Sequence, residues 1–125
     1  MTLSQLSKKR LATCHPDLQR LVLAASEVLP SLTVLCGHRG KAEQDKAFKS
    51  KHSKLQWPNS KHNSLPSRAV DLCILNPDGT VPWNANEPWQ LLMKVMQAQA
   101  FKLGVEIVCG GNWRMRDYPH FELKE

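Results

Sequence analysis

The sequence predicts an α+β fold: a small antiparallel sheet flanked by helices. Apolar residues recur at helical spacing in two long stretches, Leu18 to Val28 and Leu91 to Ala100. Four short apolar runs have strand length and are bounded by Gly, Pro or polar clusters. The order, helices first and then strands interleaved with two further helices, is that of an α+β domain. With 125 residues and 42% hydrophobic content, the chain suits one domain over 1–125 and one core without disulfide staples. It contains no repeat, low-complexity tract or linker.

A first helix is expected within Leu3 to Leu11. A stronger one opens at Pro16 and Asp17, where proline suits the first helical position and the acid suits the positive helix end. Leu18, Leu21, Val22, Ala25 and Val28 give it a core face, and Pro30 stops it. Leu32 to Cys36 reads as a short buried strand, followed by a turn over Gly37 to Gly40 and a helix from Lys41 to about Lys51. His52 to Arg68 is polar and aperiodic, and a loop of that length inside a small domain is usually functional. Ala69 to Leu75 is the next strand, closed by the turn Asn76-Pro77-Asp78-Gly79. Leu91, Leu92, Val95, Met96 and Ala100 mark a core-facing helix over Glu87 to Leu103, with Gly104 as its left-handed stop. Val105 to Cys109 is a strand, Gly110-Gly111 a turn, and His120 to Leu123 a last strand with His120 and Glu122 on one face.

Seventeen Lys and Arg against eleven Asp and Glu give a net charge of +6, which favours an anionic partner such as nucleic acid, a membrane surface or an anionic wall polymer. The basic residues are scattered, and their densest stretch, Lys41 to Lys54, has only Trp57 nearby as a stacking ring, so a nucleic-acid groove is not expected. The lysines of that stretch read as a solvated helix face. Cys14, Cys36, Cys73 and Cys109 are widely spaced and form no CxxC pair, so they are expected as free thiols in a reducing compartment. The N-terminus lacks the apolar core of an export signal, and no apolar stretch approaches the roughly 20 residues that cross a bilayer. A soluble monomer without stable membrane association is expected.

An acid inside an apolar strand is costly unless partnered, which singles out Asp71. His62 lies in the polar loop just before that strand, and His120 starts another strand three residues after Asp117. Two imidazoles and a carboxylate are what a catalytic zinc takes from a protein, leaving a position for water, and a further carboxylate beside the last histidine can act as base. Pairing of the two strands would bring His62, Asp71 and His120 together, so the chain reads as a small zinc hydrolase holding one Zn2+. His15 and His52 have no matched partner and are expected to face solvent.

Ser60-Lys61-His62-Asn63, Pro66-Ser67-Arg68-Ala69-Val70-Asp71, and Gly110-Gly111-Asn112-Trp113 leading to Asp117-Tyr118-Pro119-His120-Phe121-Glu122-Leu123 closely resemble the D-alanyl-D-alanine carboxypeptidase-type zinc peptidases. Within these, the nearest resemblance is to phage endolysins that are L-alanyl-D-glutamate endopeptidases. Cys36-Gly37-His38-Arg39-Gly40 with Glu43 and Gln44 is similar to the family's upstream segment, although His38 stands where an aromatic Tyr or Phe is usual. The resemblance spans about Leu32 to Leu123. It implies a fold of the Hedgehog and DD-peptidase kind, His62, Asp71 and His120 as zinc ligands, and Asp117 as catalytic acid/base where many relatives have Glu.

Arg39 is then a candidate to hold a substrate carboxylate or the developing oxyanion. Ser60 is a candidate to orient its loop or bond substrate, Trp113 to wall the pocket, and Glu122 to support the site from behind the ligands. The implied substrate is bacterial peptidoglycan, and the absence of an export signal suits an enzyme that gathers in the host cytoplasm and reaches the wall after membrane permeabilisation. The rivals are a D-Ala-D-Ala carboxypeptidase or dipeptidase with the same centre, and a zinc-bearing wall-binding module without hydrolysis. Asp117 argues against the second, since a pure binder needs no base there.

Overall fold

A computed structural model of the chain describes residues 3–124. Helix α1 (Gln5–Leu11) is capped by Ser4, whose hydroxyl accepts the Ser7 N–H. Helix α2 (Pro16–Val28) starts with Pro and Asp as the sequence suggests, but its cap is His15, whose Nδ1 accepts the Asp17 N–H at 3.0 Å. His15 is therefore half-buried and partnered, not a free solvent-facing residue. His52 is exposed as expected, and its ring bonds the Ser50 hydroxyl.

Strands β1 (Leu32–Cys36), β2 (Ala69–Ile74), β3 (Ile107–Cys109) and β4 (His120–Leu123) form one antiparallel sheet in the order β1-β2-β4-β3. Helix α3 (Lys41–Lys49) follows β1, and helix α4 (Glu87–Leu103) connects β2 to β3. The fold is thus the expected α+β arrangement. Leu18, Leu21, Val22 and Ala25 of α2 meet Trp89, Leu92, Met96 and Ala100 of α4, and both join Val34, Val70, Leu72 and Phe121 of the sheet in one buried cluster.

Two residues of the expected core faces lie outside it: Val28 is 52% exposed and Leu91 is 49% exposed. Val28 ends its helix, and Leu29 takes over the inward position beyond it. Leu91 is one residue from the buried Leu92, a rotation of about 100° around the helix. The α4 stripe instead begins at Trp89, whose indole N–H donates to Pro82 O at 3.0 Å. Helix α3 stops at Lys49 rather than Lys51, because Lys51 turns left-handed at φ 66°. Strand β3 starts at Ile107 rather than Val105, since the Val105 N–H is bound to Ala100 O in the left-handed closure at Gly104 (φ 71°) of α4. All four cysteines are free; Cys14, Cys73 and Cys109 are buried, and burial pushes the Cys14 thiol up to about 12.

The loop before β2 is pinned at its end. Ser67 N–H donates to Thr13 O, and His15 N–H donates to Ser67 O, each at 2.8 Å. These bonds tie the loop to the α1–α2 connection and fix where β2 begins. Val22→Ala, which empties a fully buried site, should cost about 2 kcal/mol, whereas Val28→Ala should change stability by less than about 0.5 kcal/mol. Denaturant melts of the two variants check the contrast.

Candidate metal centre

Register carries the two strand residues into contact. In the β2–β4 pair Asp71 stands opposite His120, Val70 opposite Phe121 and Ala69 opposite Glu122. Val70 and Leu72 fill the core from one face of β2, so Asp71 projects from the other. His62 arrives from a single 3₁₀ turn, Lys61–Asn63, just ahead of the strand. Ser60 closes that turn: its hydroxyl accepts the His62 N–H, and its own N–H donates to the Asn63 side chain. The turn is held from outside by Arg39 N–H to His62 O at 2.8 Å and Arg68 N–H to Lys61 O at 3.0 Å.

The result is a convergent donor set. His62 Nε2 lies 3.2 Å and His120 Nδ1 3.3 Å from Asp71 Oδ1. The ligand atoms of His62, Asp71 and His120 all lie within 4.8 Å of one another, with both histidines buried. This cluster can hold a metal ion.

The far side of each imidazole fits that use. His62 Nδ1 lies 2.7 Å from the Gly37 carbonyl, which only accepts; Nδ1 therefore carries a proton, and it is Nε2 that faces inward, with its lone pair free once the ring is neutral. His120 Nε2 lies 2.7 Å from Glu122 Oε1, so by the same reasoning its inward donor is Nδ1. Glu122 is in turn held by Lys61 Nζ at 3.2 Å, and Lys61 also donates to Leu123 O at 2.6 Å. Ala69, opposite Glu122, is small and leaves that carboxylate room on the shared face.

The electrostatics follow from the same contacts. Burial works against charge on His62, but the Asp71 carboxylate prevails and pushes the imidazole up to about 10. Burial alone would raise Asp71; His62 and His120 hold it well below the usual carboxylate range. His120 is raised against its burial by Asp71 and Glu122. Burial likewise opposes the Glu122 charge, yet His120 and Lys61 keep it below its ordinary value.

Asp117 sits at the edge of this cluster. Its N–H donates to Gly110 O at 2.9 Å, and its carbonyl accepts the His120 N–H at 3.1 Å. Gly110 is required there: a Cβ would collide with the Asp117 carbonyl and sit 2.9 Å from the His120 Cβ. Among the described residues no donor reaches the Asp117 carboxylate. Burial, and then the Asp71 charge, raise its pKa, while His120, His62 and Arg39 pull it down. A half-buried, unsolicited carboxylate with raised basicity is suited to accept a proton.

Arg39 places Nη2 3.6 Å from Asp71 Oδ2 and donates from Nη1 to Gln44 Oε1 at 2.9 Å. Trp113 is 37% exposed, with its ring 5.0 Å from that of His120. The structure thus gathers Arg39, Ser60, His62, Asp71, Trp113, Asp117 and His120 around one centre. The sequence reading gave no role to Lys61 or Gln44. Gln44, fully buried, also accepts from Asn63 at 3.1 Å and donates to Ser53 Oγ at 2.8 Å and to Leu55 O, binding α3, the long loop and the His62 turn together. Glu122, two residues past His120 on one strand face, was the available sign that a cation such as Lys61 stands nearby.

Comparison with known proteins points the same way. The family model described as phage L-alanyl-D-glutamate peptidase matches residues 1–124. The L-alanyl-D-glutamate peptidase of Escherichia phage T5 is 29% identical over 120 residues, covering 94% of this chain and 85% of that protein. The crystal structure of the Serratia marcescens L-Ala D-Glu endopeptidase ChiX superposes with a TM-score of 0.82 at 27% identity, covering 99% of this chain and 90% of that one.

The acid–imidazole cluster makes stability of the metal-free chain pH-dependent. His62 gains proton affinity on folding, so its contribution is full below about pH 6.5 and is lost as pH rises towards about 10. Asp71 loses proton affinity on folding, so its contribution is full above about pH 4 and is lost as pH falls. Melting temperatures in chelator should therefore be highest between about pH 4 and 6.5. A melting temperature that climbed from pH 7 to pH 10 would contradict the pairing.

Proposed function

The chain belongs to the phage L-alanyl-D-glutamate peptidase family, and we propose that it works as a zinc-dependent endolysin, hydrolysing the L-alanyl-D-glutamate bond of peptidoglycan stem peptides during host cell lysis. It is a peptidoglycan endopeptidase by family and by its relatives from phage T5 and Serratia marcescens. The observation that carries the zinc reading is the His62–Asp71–His120 cluster, with each imidazole already bonded on its outer nitrogen. Two nitrogens and one carboxylate oxygen with a position left open are the donor set of a hydrolytic zinc. On motif resemblance we place the chain in the wider D-alanyl-D-alanine carboxypeptidase-type group and read 1–125 as one zinc peptidase domain.

When bound, zinc supplies Lewis acidity, lowering the pKa of water towards about 7 and polarising the scissile carbonyl. His62 through Nε2, His120 through Nδ1 and Asp71 would hold it. Asp117 takes the proton of the attacking water and hands it to the leaving amine. Arg39 has N–H groups beyond those bound to Asp71 and Gln44, and these stabilise a substrate carboxylate or the oxyanion. Trp113 forms a wall beside His120. Ser60 holds the His62 turn and keeps its hydroxyl proton to donate to substrate.

The net charge of +6 favours approach to an anionic wall. Among the described residues no helix is long and apolar enough to cross a membrane. We read the enzyme as a monomer that gathers in the host cytoplasm and meets the wall once the membrane is permeabilised.

Replacing His62, Asp71 or His120 by Ala should each remove most of the zinc, measured by elemental analysis. Full occupancy in any of the three would mean a different ligand set. Asp117→Asn should keep zinc and lower turnover by about 10²- to 10⁴-fold. Mass spectrometry of digested sacculi, with and without chelator, identifies the bond cut; release of terminal D-Ala alone would assign a carboxypeptidase instead.

A further inference from the structure

Trp83 is 64% exposed, yet it is not loose. Its ring stacks on Trp89 at 5.6 Å and 26°, and Trp89 stacks on Tyr118 at 6.0 Å and 21°. The Trp89 indole N–H holds Pro82 O at 3.0 Å, fixing the residue before Trp83. An aromatic ladder therefore runs from the residue after Asp117 to the surface, where its outermost ring is left open on one side. Beside that ring is a cavity of about 450 Å³ lined by Asn76, Thr80, Val81, Pro82, Asn84 and Ala85. Asn76 Nδ2 donates to Thr80 Oγ1 at 3.0 Å, Thr80 Oγ1 donates to the Asp78 carboxylate at 2.6 Å, and no cationic side chain lines the cavity.

We propose that Trp83 and this cavity form a subsite for the glycan strand, seating an uncharged N-acetylated sugar ring beside the peptide site. A rigid aromatic plane bordered by amide and hydroxyl groups suits a sugar, which has an apolar face and a rim of hydroxyls and N-acetyl groups. An anionic peptide or nucleic acid would call for cations, and the cavity has none.

The proposal rests on the peptidase reading above and extends it through the connectivity of the substrate. In peptidoglycan the stem peptide begins with L-Ala, joined through its nitrogen to the lactyl group of N-acetylmuramic acid. Cleavage between L-Ala and D-Glu thus takes place one residue from a sugar whose carboxyl group is already consumed in an amide. The ladder's inner ring is that of Tyr118, the residue after the proposed base in sequence, and its outer ring lies two ring-to-ring steps away on the surface.

The test compares two substrates of the zinc-loaded full chain, a disaccharide-bearing muropeptide and the same peptide without sugar. We expect kcat/KM to favour the first by roughly tenfold, equivalent to about 1.4 kcal/mol. Trp83→Ala should abolish that preference while cutting the sugar-free peptide at the wild-type rate. Trp83→Phe keeps a ring over Trp89, so it should fold even if alanine disturbs the ladder, and it should retain part of the preference. Equal wild-type rates on the two substrates, or a preference unchanged in both variants, would overturn the subsite.

Titration with N,N′-diacetylchitobiose, followed at the Trp83 indole N–H resonance, separates the two readings. A chain that shifts this resonance but cuts neither substrate would keep the subsite and lose the peptidase assignment. A chain that does neither would lose both.

Discussion

The Asp71 carboxylate is the constraint on which the rest of the site depends. It stands on a strand whose opposite face fills the core, and it meets His62, His120 and Arg39 within 3.6 Å. A carboxylate taken from water without such partners is strongly destabilising, so β2 can carry an acid only because three other segments deliver cationic or proton-bearing groups to it. Those segments are the Arg39 turn after β1, the His62 turn before β2, and β4. The sheet order, which places β2 between β1 and β4, is what lets them converge.

Around that contact the polar atoms of the site are held by specific partners. Gly37 O fixes the His62 ring, Glu122 fixes the His120 ring, and Lys61 holds Glu122 while gripping the β4 backbone. Gln44 does the same for the outer side, joining Arg39, Asn63, Ser53 and Leu55. Satisfied networks of this kind hold side chains in one rotamer, which is what positioning a small ion or a water requires. Asp117 stands apart as the site carboxylate that no donor engages among the described residues.

Much of this was legible in the sequence. The out-of-place acid at Asp71, the histidine in a polar loop and the Asp117–His120 spacing each pointed to one site, and motif resemblance joined them. Helical periodicity located α2 and α4, but it could not distinguish Leu91 from Leu92 or show that Val28 lies past the packed turns, because either assignment keeps an apolar stripe. Element ends were missed where a backbone event decides them, such as the left-handed Lys51. Lys61 and Gln44 stood in the quoted motifs, but their roles were not legible for another reason: lysine beside a turn and glutamine in a polar helix are ordinary surface patterns, and only tertiary contacts reveal them as buried or bonded.

The donors lie on a loop turn and two strands, with His120 far from the other two in sequence, and this has a thermodynamic consequence. An unfolded chain holds no preformed set of two imidazoles and a carboxylate, so an ion taken up by the cluster favours the native state alone, by RT ln(1 + [L]/Kd). At a thousandfold excess over Kd this amounts to about 4 kcal/mol, a large share of what holds a small domain together. Metal supply would then govern how long the protein survives as well as how fast it works, and starvation for the ion would expose the chain to proteolysis before any residue had changed.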